Sequence, residues 1–352
     1  MRPAIPITGR GSASNPANRF ERLHLEFDAD TSDPSPPGPR TLFFKDASTT
    51  ILSENNSPDL GFRFSINPYR GCEHGCAYCY ARPTHEYLGL SAGLDFESRI
   101  MVKERAPELL RDALSSPKWI PQVIAMSGVT DCYQPVERRL RLTRRCLEVL
   151  AEFRNPVGIV TKNHWVTQDI DVLRDLARWN AVIVYVSVTT LDAGLASKLE
   201  PRTSMPDHRL EAIRTLSSSG VPVGVLVAPV IPGLTDHEIP AILSAAAAAG
   251  AREAGYTMLR LPHAVVDLFQ EWLRLHRPLQ FEKVLSRLRA VRNGALSSSE
   301  FGERMEGQGE FAKQIAGLFE VTCRRHGLGV GRHQLSAASF RRPGGVQLSL
   351  GV

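Results

Sequence analysis

The sequence predicts an α/β fold, an open or partial barrel of parallel strands each followed by a helix, rather than a flat doubly wound sheet. Three observations lead there. Short β-branched runs such as "VIVYVSVTT" and "VPVGVLVAPVI" are near-continuous in Val and Ile, which suits strands covered on both faces. Segments of helical period lie between them. Six such strand–helix units follow one another in series within residues 58–293.

The elements follow in order. Residues 1–57 hold many Pro, Ser, Asp and Gly residues, as in "DADTSDPSPPGPR". Such a composition cannot bury enough apolar surface to offset chain entropy, so a mostly disordered extension is expected, with one docked strand at "TLFF". The strands of the core are expected at "RFSIN", "PQVIAMSG", "VGIVTK", "VIVYVSVTT", "VPVGVLVAPVI" and "GYTMLRL". The helices between them fall near 107–114, 137–153, 168–178, 207–219 and 235–249. Thr235-Asp236-His237-Glu238 has the form of a capping box after "PVIPG". Pro206 and Asp207 suit a first helical turn, and Gly220 and Gly250 stand where helix C-caps belong. Residues 263–293 read as helical again. Residues 294–352 are expected to hold one more amphipathic helix, over 309–326, and a flexible basic tail from Gly327.

Composition bounds the setting. Hydrophobic residues make up 43% of the 352, enough for a buried core. The net charge of +5 is compatible with an anionic partner. The opening "MRPAIPITGRGSASNPANRF" is polar and broken by Pro and Gly, unlike a signal peptide. No run of about 20 apolar residues suits a bilayer span. Six cysteines without a second paired cluster do not form a disulfide framework. A cytoplasmic protein with no membrane partner is expected. Nothing in the sequence indicates its oligomeric state.

The stretch "GCEHGCAYCYA" carries Cys72, Cys76 and Cys79 within eight residues. Three chemistries compete for them. A structural zinc site needs four ligands, and His74 or His85 is available as the fourth. Cys76-x-x-Cys79 has the spacing of a redox pair but leaves Cys72 unexplained. An iron–sulfur cluster held by three thiolates keeps one iron open.

The C-x3-C-x2-C spacing, with Tyr78 just before the last cysteine, resembles the signature of radical SAM enzymes. The flanks are more specific. "NPYRGCEHGCAYCYAR", "SGVTDCYQPVE", "VTKN", "VSVTT", "LEPRT" and "APVIPGLTD" resemble the spore photoproduct lyase-like branch, and more nearly its small bacterial relatives of unassigned role. The resemblance covers roughly residues 60–290.

It implies a partial (β/α)6 barrel of the radical SAM type, with flexible N- and C-terminal extensions. It implies a [4Fe–4S] cluster held by Cys72, Cys76 and Cys79, whose open iron binds S-adenosylmethionine. A reductant such as flavodoxin or ferredoxin would drive cleavage to a 5′-deoxyadenosyl radical, which takes hydrogen from a substrate. Damaged nucleic acid is one substrate class it implies, with lyase-like chemistry. Thr130, Lys162 and Ser187 match positions that contact the cofactor in that branch. Asp131, Glu200, Arg202 and Tyr78 fall in matching blocks and are candidates for the same mouth. The branch's hydrogen-donor cysteine would fall near Gly128 or Val129 and is absent; Cys132, close by, is the catalytic candidate in its place.

Each residue also has a structural reading. Lys162 at a strand end suits a solvent-facing lysine, and Ser187 a small polar group bonded within the core. Glu200 and Arg202 suit a local ion pair, and Cys132 an inert core thiol. Cys146 and Cys323 fall on apolar helix faces and read as core. In "ERRLRLTRRCLE", Arg138, Arg141 and Arg145 share a helical face. A phosphate-tracking stripe is one reading. A solvated helix neutralised by Glu137, Glu148 and Glu152 is the one favoured. A non-catalytic zinc or iron–sulfur protein that binds nucleic acid is the alternative to the enzyme.

Overall fold

The Val- and Ile-rich runs become strands of one sheet because each face of a β-branched run finds apolar cover. The computed structural model describes residues 5–20, 40–330 and 333–343. Two short strands come first, β1 (Leu42–Lys45) and β2 (Leu52–Glu54). β3 (Phe64–Ile66) opens the core, and β4 (Tyr69–Arg70) leads into the cysteine loop. That excursion closes with α1 (Leu94–Ser98) and β5 (Arg99–Val102). Next come α2 (Ala106–Ser115), β6 (Ile124–Met126), α3 (Glu137–Leu140), α4 (Leu142–Phe153) and β7 (Val157–Thr161). They are followed by α5 (Ile170–Ala177), β8 (Val182–Ser187), α6 (Ala193–Leu199), α7 (Pro206–Ser218) and β9 (Val223–Val230). The chain continues through α8 (Ile239–Ala248), β10 (Glu253–Met258), α9 (Val265–His276) and α10 (Phe281–Ala290). It ends with α11 (Gly309–His326) and β11 (Gly329–Val330).

The large sheet has the order β11-β10-β9-β8-β7-β6-β3-β2. Every pair from β3 to β11 is parallel, and β2 joins β3 antiparallel. Chain neighbours are sheet neighbours across the core, so the crossovers all step the same way. A doubly wound sheet would reverse its order. This is the single winding of a barrel wall, and the order does not return from β11 to β2. The expected open barrel is therefore the observed architecture. All strand C-termini of the core lie at one end, where its loops gather.

The main core lies between the sheet and α2, α4, α5, α7, α8 and α11, around Ile66, Leu147, Ile159, Val184, Val225 and Phe319. A second core joins Cys76 and Tyr78 of the cysteine loop to α6, α9 and α10 through Leu199, Phe269, Trp272 and Leu285. Among the described residues no helix is long and apolar enough to cross a membrane.

Four expectations need correction. Residues 5–20, expected in a disordered extension, include a docked strap: the N–H groups of Gly11 and Ser12 donate to Glu97, and Ser14 O accepts from Leu94 N, while the strand expected at "TLFF" is β1, paired with β5. Residues 1–4 and 21–39 lie outside the described residues. The helix expected over 137–153 breaks at Arg141, whose φ is +53°, because the Glu137 carboxylate accepts from Thr143 N at 2.9 Å and starts α4 afresh. Thr235 and Glu238 form no capping box. Thr235 Oγ1 accepts from Ile231 N, and Glu238 reaches back to Thr190 and Leu191. Finally, the described residues from 294 on do not form a separate unit. Ala312, Ile315 and Phe319 of α11 belong to the main core, and Arg341 and Arg342 of the tail donate to backbone carbonyls at Glu152, Ser116 and Trp119.

The basic stripe also dissolves. Arg144 pairs with Asp169, Asp171 and Glu148, Arg145 with Glu108, and Arg138 lies over the Trp165 ring. The neutralised helix is the observed one, but of the three expected carboxylates only Glu148 takes part: Glu152 pairs with Arg111, and Glu137 is buried against Tyr69 and Thr143.

Candidate functional site

The cysteine loop is held from behind. Gly75 has φ +65°, and a Cβ there would stand 2.2 Å from Glu97 Oε2, so only glycine fits this bend. Arg82 is fully buried and donates to Gly75 O at 3.1 Å, Cys76 O at 3.0 Å and Gly93 O at 2.8 Å. Its charge is met by Glu97 at 3.0 Å. Ala77 N donates to Leu199 O, and Glu73 N to Gln134 Oε1, which fasten the loop to the end of α6 and to the loop between β6 and α3.

The three thiols are free, and Cys72 and Cys76 are buried. Burial pushes each of them above the ordinary thiol range. Backbone N–H groups oppose that shift, Asp131 at Cys72, and Ala81 and Arg82 at Cys79. Such donors favour the thiolate, the form that ligates metal. The histidines weighed as a fourth ligand are engaged elsewhere. His74 Nδ1 faces Asp131 Oδ2 at 3.4 Å with Nε2 beside Asn163, and His85 Nε2 lies 2.9 Å from Arg99 O. Among the described residues no three His, Cys, Asp or Glu side chains converge as ligands of one ion. Thiolates that each take a different iron stand farther apart than that. The donor set fits a four-iron cluster with one iron open.

Beside the loop lies a buried charge network. Glu200 is 2% exposed. Its carboxylate accepts from Tyr78 and from Thr189 Oγ1, pairs with Arg209, and lies 3.2 Å from Lys162 Nζ. Burial alone would raise its pKa. Arg209 first and Lys162 second hold it well below the usual carboxylate range. Lys162 Nζ also donates to Ser187 Oγ and Ala228 O, both at 2.7 Å, and to Thr189 Oγ1 at 3.0 Å. Lys162 leaves β7, Ser187 ends β8 and Ala228 lies in β9, so three adjacent strands converge on one ammonium.

Asp131 ties the β6 and β7 ends together. It accepts from Thr161 Oγ1 at 2.8 Å and from Lys162 N at 2.7 Å. Burial would raise its pKa, but His74 and the backbone donors lower it. Thr130 is buried, with its N–H and hydroxyl both turned to Asn67 Oδ1 at 3.4 and 3.5 Å. Arg202 brackets the loop from outside, 3.4 Å from Glu73 Oε1 and bonded to Thr41. The structure thus brings Tyr78, Lys162, Ser187 and Glu200 into one network, with Asp131 adjoining. It does not bring Cys132 there. Cys132 is fully enclosed in the main core with Cys146 and Leu147, and burial pushes its thiol well up.

Three contributors escaped the sequence reading. Asn67 collects the N–H groups of Gly128, Val129 and Thr130 and so shapes the β6 loop. Arg209, on α7, reads as a surface arginine on a polar helix, yet is fully buried against Glu200. Arg82 was visible only as the end of "CYAR". No local signal distinguishes a buried arginine from an exposed one.

The comparisons bear on this site. The model of the Radical SAM superfamily matches residues 66–246. An uncharacterized protein of Mycobacterium tuberculosis is 36% identical over 225 residues, covering 63% of this chain and 66% of its own length. The chain thus spans just under two thirds of that relative. A radical SAM Nalpha-GlyT isomerase of Pseudomonas phage M6 is 28% identical over 174 residues, 49% of this chain and 34% of that protein. A solved spore photoproduct lyase variant with bound AdoMet and dinucleoside spore photoproduct superposes with TM-score 0.60 at 15% identity, over 84% of this chain and 82% of that one. That likeness is one of fold.

Proposed function

The chain belongs to the radical SAM superfamily, and from that premise we propose that Cys72, Cys76 and Cys79 hold its cluster, and that the Lys162 network faces its cofactor. It is a radical SAM enzyme, of a superfamily that uses a [4Fe–4S] cluster and S-adenosylmethionine. When bound, these supply reductive cleavage of the sulfonium, in which one electron from a donor such as flavodoxin or ferredoxin yields methionine and a 5′-deoxyadenosyl radical that takes hydrogen from substrate.

The observation that carries the assignment is the position of three free thiols of one pinned loop, at the C-terminal end of a parallel strand wall. This chain's residues then have definite work. Arg82 and Glu97 keep the loop rigid, so that the thiolates need not reorganise on binding. Lys162 offers a positive charge suited to a carboxylate or a ribose hydroxyl. Ser187 and Thr189 orient that ammonium, and Glu200, itself paired with Arg209, lies 3.2 Å from it. Tyr78, clamped by Glu200, contributes its bulk and backbone beside the cluster. Thr130 and Asp131 shape the β6 side of the mouth. Cys132, being enclosed, has no part in the chemistry proposed.

For substrate we propose nucleic acid carrying an altered base. The support is the likeness to the lyase structure with bound dinucleoside photoproduct and the net charge of +5.

The test is anaerobic reconstitution, then reduction with dithionite in the presence of S-adenosylmethionine. About four irons per chain and release of 5′-deoxyadenosine are expected. Cys72→Ala, Cys76→Ala and Cys79→Ala should each lose iron and cleavage. A variant that keeps both removes its cysteine from the site, and zinc taken up in place of iron overturns the assignment.

A further inference from the structure

Three arginines at the same end of the sheet are not used by the reading above. Arg260 lies two residues beyond β10. Its guanidinium carbon is 5.4 Å from the centroid of the Tyr80 ring. Tyr80 belongs to the cysteine loop, is 48% exposed, and donates to Gly128 O beyond β6 at 2.7 Å. Arg260 is therefore a rim residue of the candidate site. Its described polar contact is the sulfur of Met305 at 3.5 Å, a weak acceptor.

Behind it, Arg292 is 4% exposed and donates only to backbone carbonyls, of Glu303 at 2.8 Å and of Leu259 and Arg304 at 2.9 Å. The Nε groups of Arg260 and Arg292 are both buried and donate to no acceptor among the described residues. Beside them Arg304 pairs with Asp59 at 2.5 Å and lies 4.4 Å from the centroid of Phe301, a ring 55% exposed.

Guanidinium groups drawn together repel one another. Arg260 and Arg292 are held below the ordinary arginine range by burial first, and next by a neighbouring arginine. Asp59 and Glu303 are the carboxylates acting on the group, and they leave it net positive. An anion relieves such an arrangement, since the group is net positive and a guanidinium fork matches a phosphate bidentately. Exposed aromatic rings next to arginine forks are the surface on which nucleotides stack and bind.

We propose that Arg260, backed by Arg292 and flanked by Arg304, binds a phosphate group of a nucleotide-containing substrate, with Tyr80 and Phe301 as stacking surfaces for its bases. The word substrate rests on the proposed function; the phosphate site itself does not need the cluster.

The test uses reconstituted protein and two probes, a fluorescein-labelled single-stranded deoxyoligonucleotide and thymidine 5′-monophosphate. Binding is followed by anisotropy and by calorimetry at several salt concentrations. At least one probe should bind, more weakly as salt rises. Arg260→Gln should weaken it about 10–100-fold, as the loss of one charge-assisted contact implies. Arg260→Lys should fall between, and iron content and circular dichroism should not change in either variant. A tighter oligonucleotide assigns the phosphate to nucleic acid, and equal affinities assign it to a free nucleotide. Failure of both probes, or wild-type affinity in Arg260→Gln, overturns the phosphate site. Arg260-dependent binding without cofactor cleavage would instead sink the cluster and cofactor assignment.

Discussion

Glu200 and Arg209 are both enclosed and paired, and Lys162 is a second cation on Glu200. Removing one side of such a pair strands a buried charge, at a cost of about 3–5 kcal/mol. Arg209→Met should therefore lower stability by that amount in urea unfolding. Adding Glu200→Gln should regain part of it, because the stranded charge goes too. No recovery in the double variant would mean that Arg209 acts through its hydrogen bonds to Ser187 O, Ser204 O and Thr203 Oγ1 rather than through its charge. Lys162 is less enclosed, with 15% of its side chain exposed, and one of its donors can turn to a ligand. Lys162→Ala should weaken S-adenosylmethionine binding about 10–100-fold while iron is retained. A titration followed by the cluster's EPR signal reads this directly, and wild-type affinity would return Lys162 to a purely structural role. Cys132→Ala should leave iron content and product identity unchanged and lower only the unfolding midpoint.

Between α3 and α4 a single carboxylate does the work of a helix cap. Glu137 accepts from Thr143 N, Arg144 N and the Tyr69 hydroxyl. Burial nevertheless dominates and pushes its pKa from 4.5 up to about 7. The folded state then holds a proton that the unfolded chain releases. Its contribution is complete below about pH 4.5 and is lost as pH rises through 7. Glu137→Gln has the same shape and does not titrate. Relative to the wild type it should gain about 3 kcal/mol between pH 4.5 and 8. Urea midpoints of the two proteins across that range give the answer, and parallel curves would show that Glu137 is ionised throughout.

Across the whole molecule, the N-terminal strap braces the cysteine loop. Gly11 and Ser12 donate to the carboxylate of Glu97, which also holds Arg82. A Cβ at Gly11 would stand 1.6 Å from Gly75 O, so backbone meets backbone there. Gly11→Val should push the strap away and let the loop breathe. Reconstituted variant protein should give up iron to a chelator several-fold faster than wild type, with the sheet intact by circular dichroism. Equal rates would reduce the strap to surface packing.

The linear sequence by itself determined the strand–helix alternation, the six core strands and the three-thiol loop. These are local facts: a β-branched run, a glycine bend or a thiol spacing is written in adjacent residues. The partners of Lys162 were decided only by tertiary structure. Ser187, Ala228 and Glu200 are brought to it by three neighbouring strands and the helix end after β8. Residues 5–20 look disordered by composition and become ordered because a buried carboxylate on α1 collects their N–H groups. Arg82, Arg209 and Arg292 are not singled out by any local pattern, yet all three are buried. Their partners range from nearby, as Cys76 is to Arg82 and Glu200 to Arg209, to the distant Leu259 carbonyl at Arg292, and only the folded packing of strand ends and helix ends encloses the pairs.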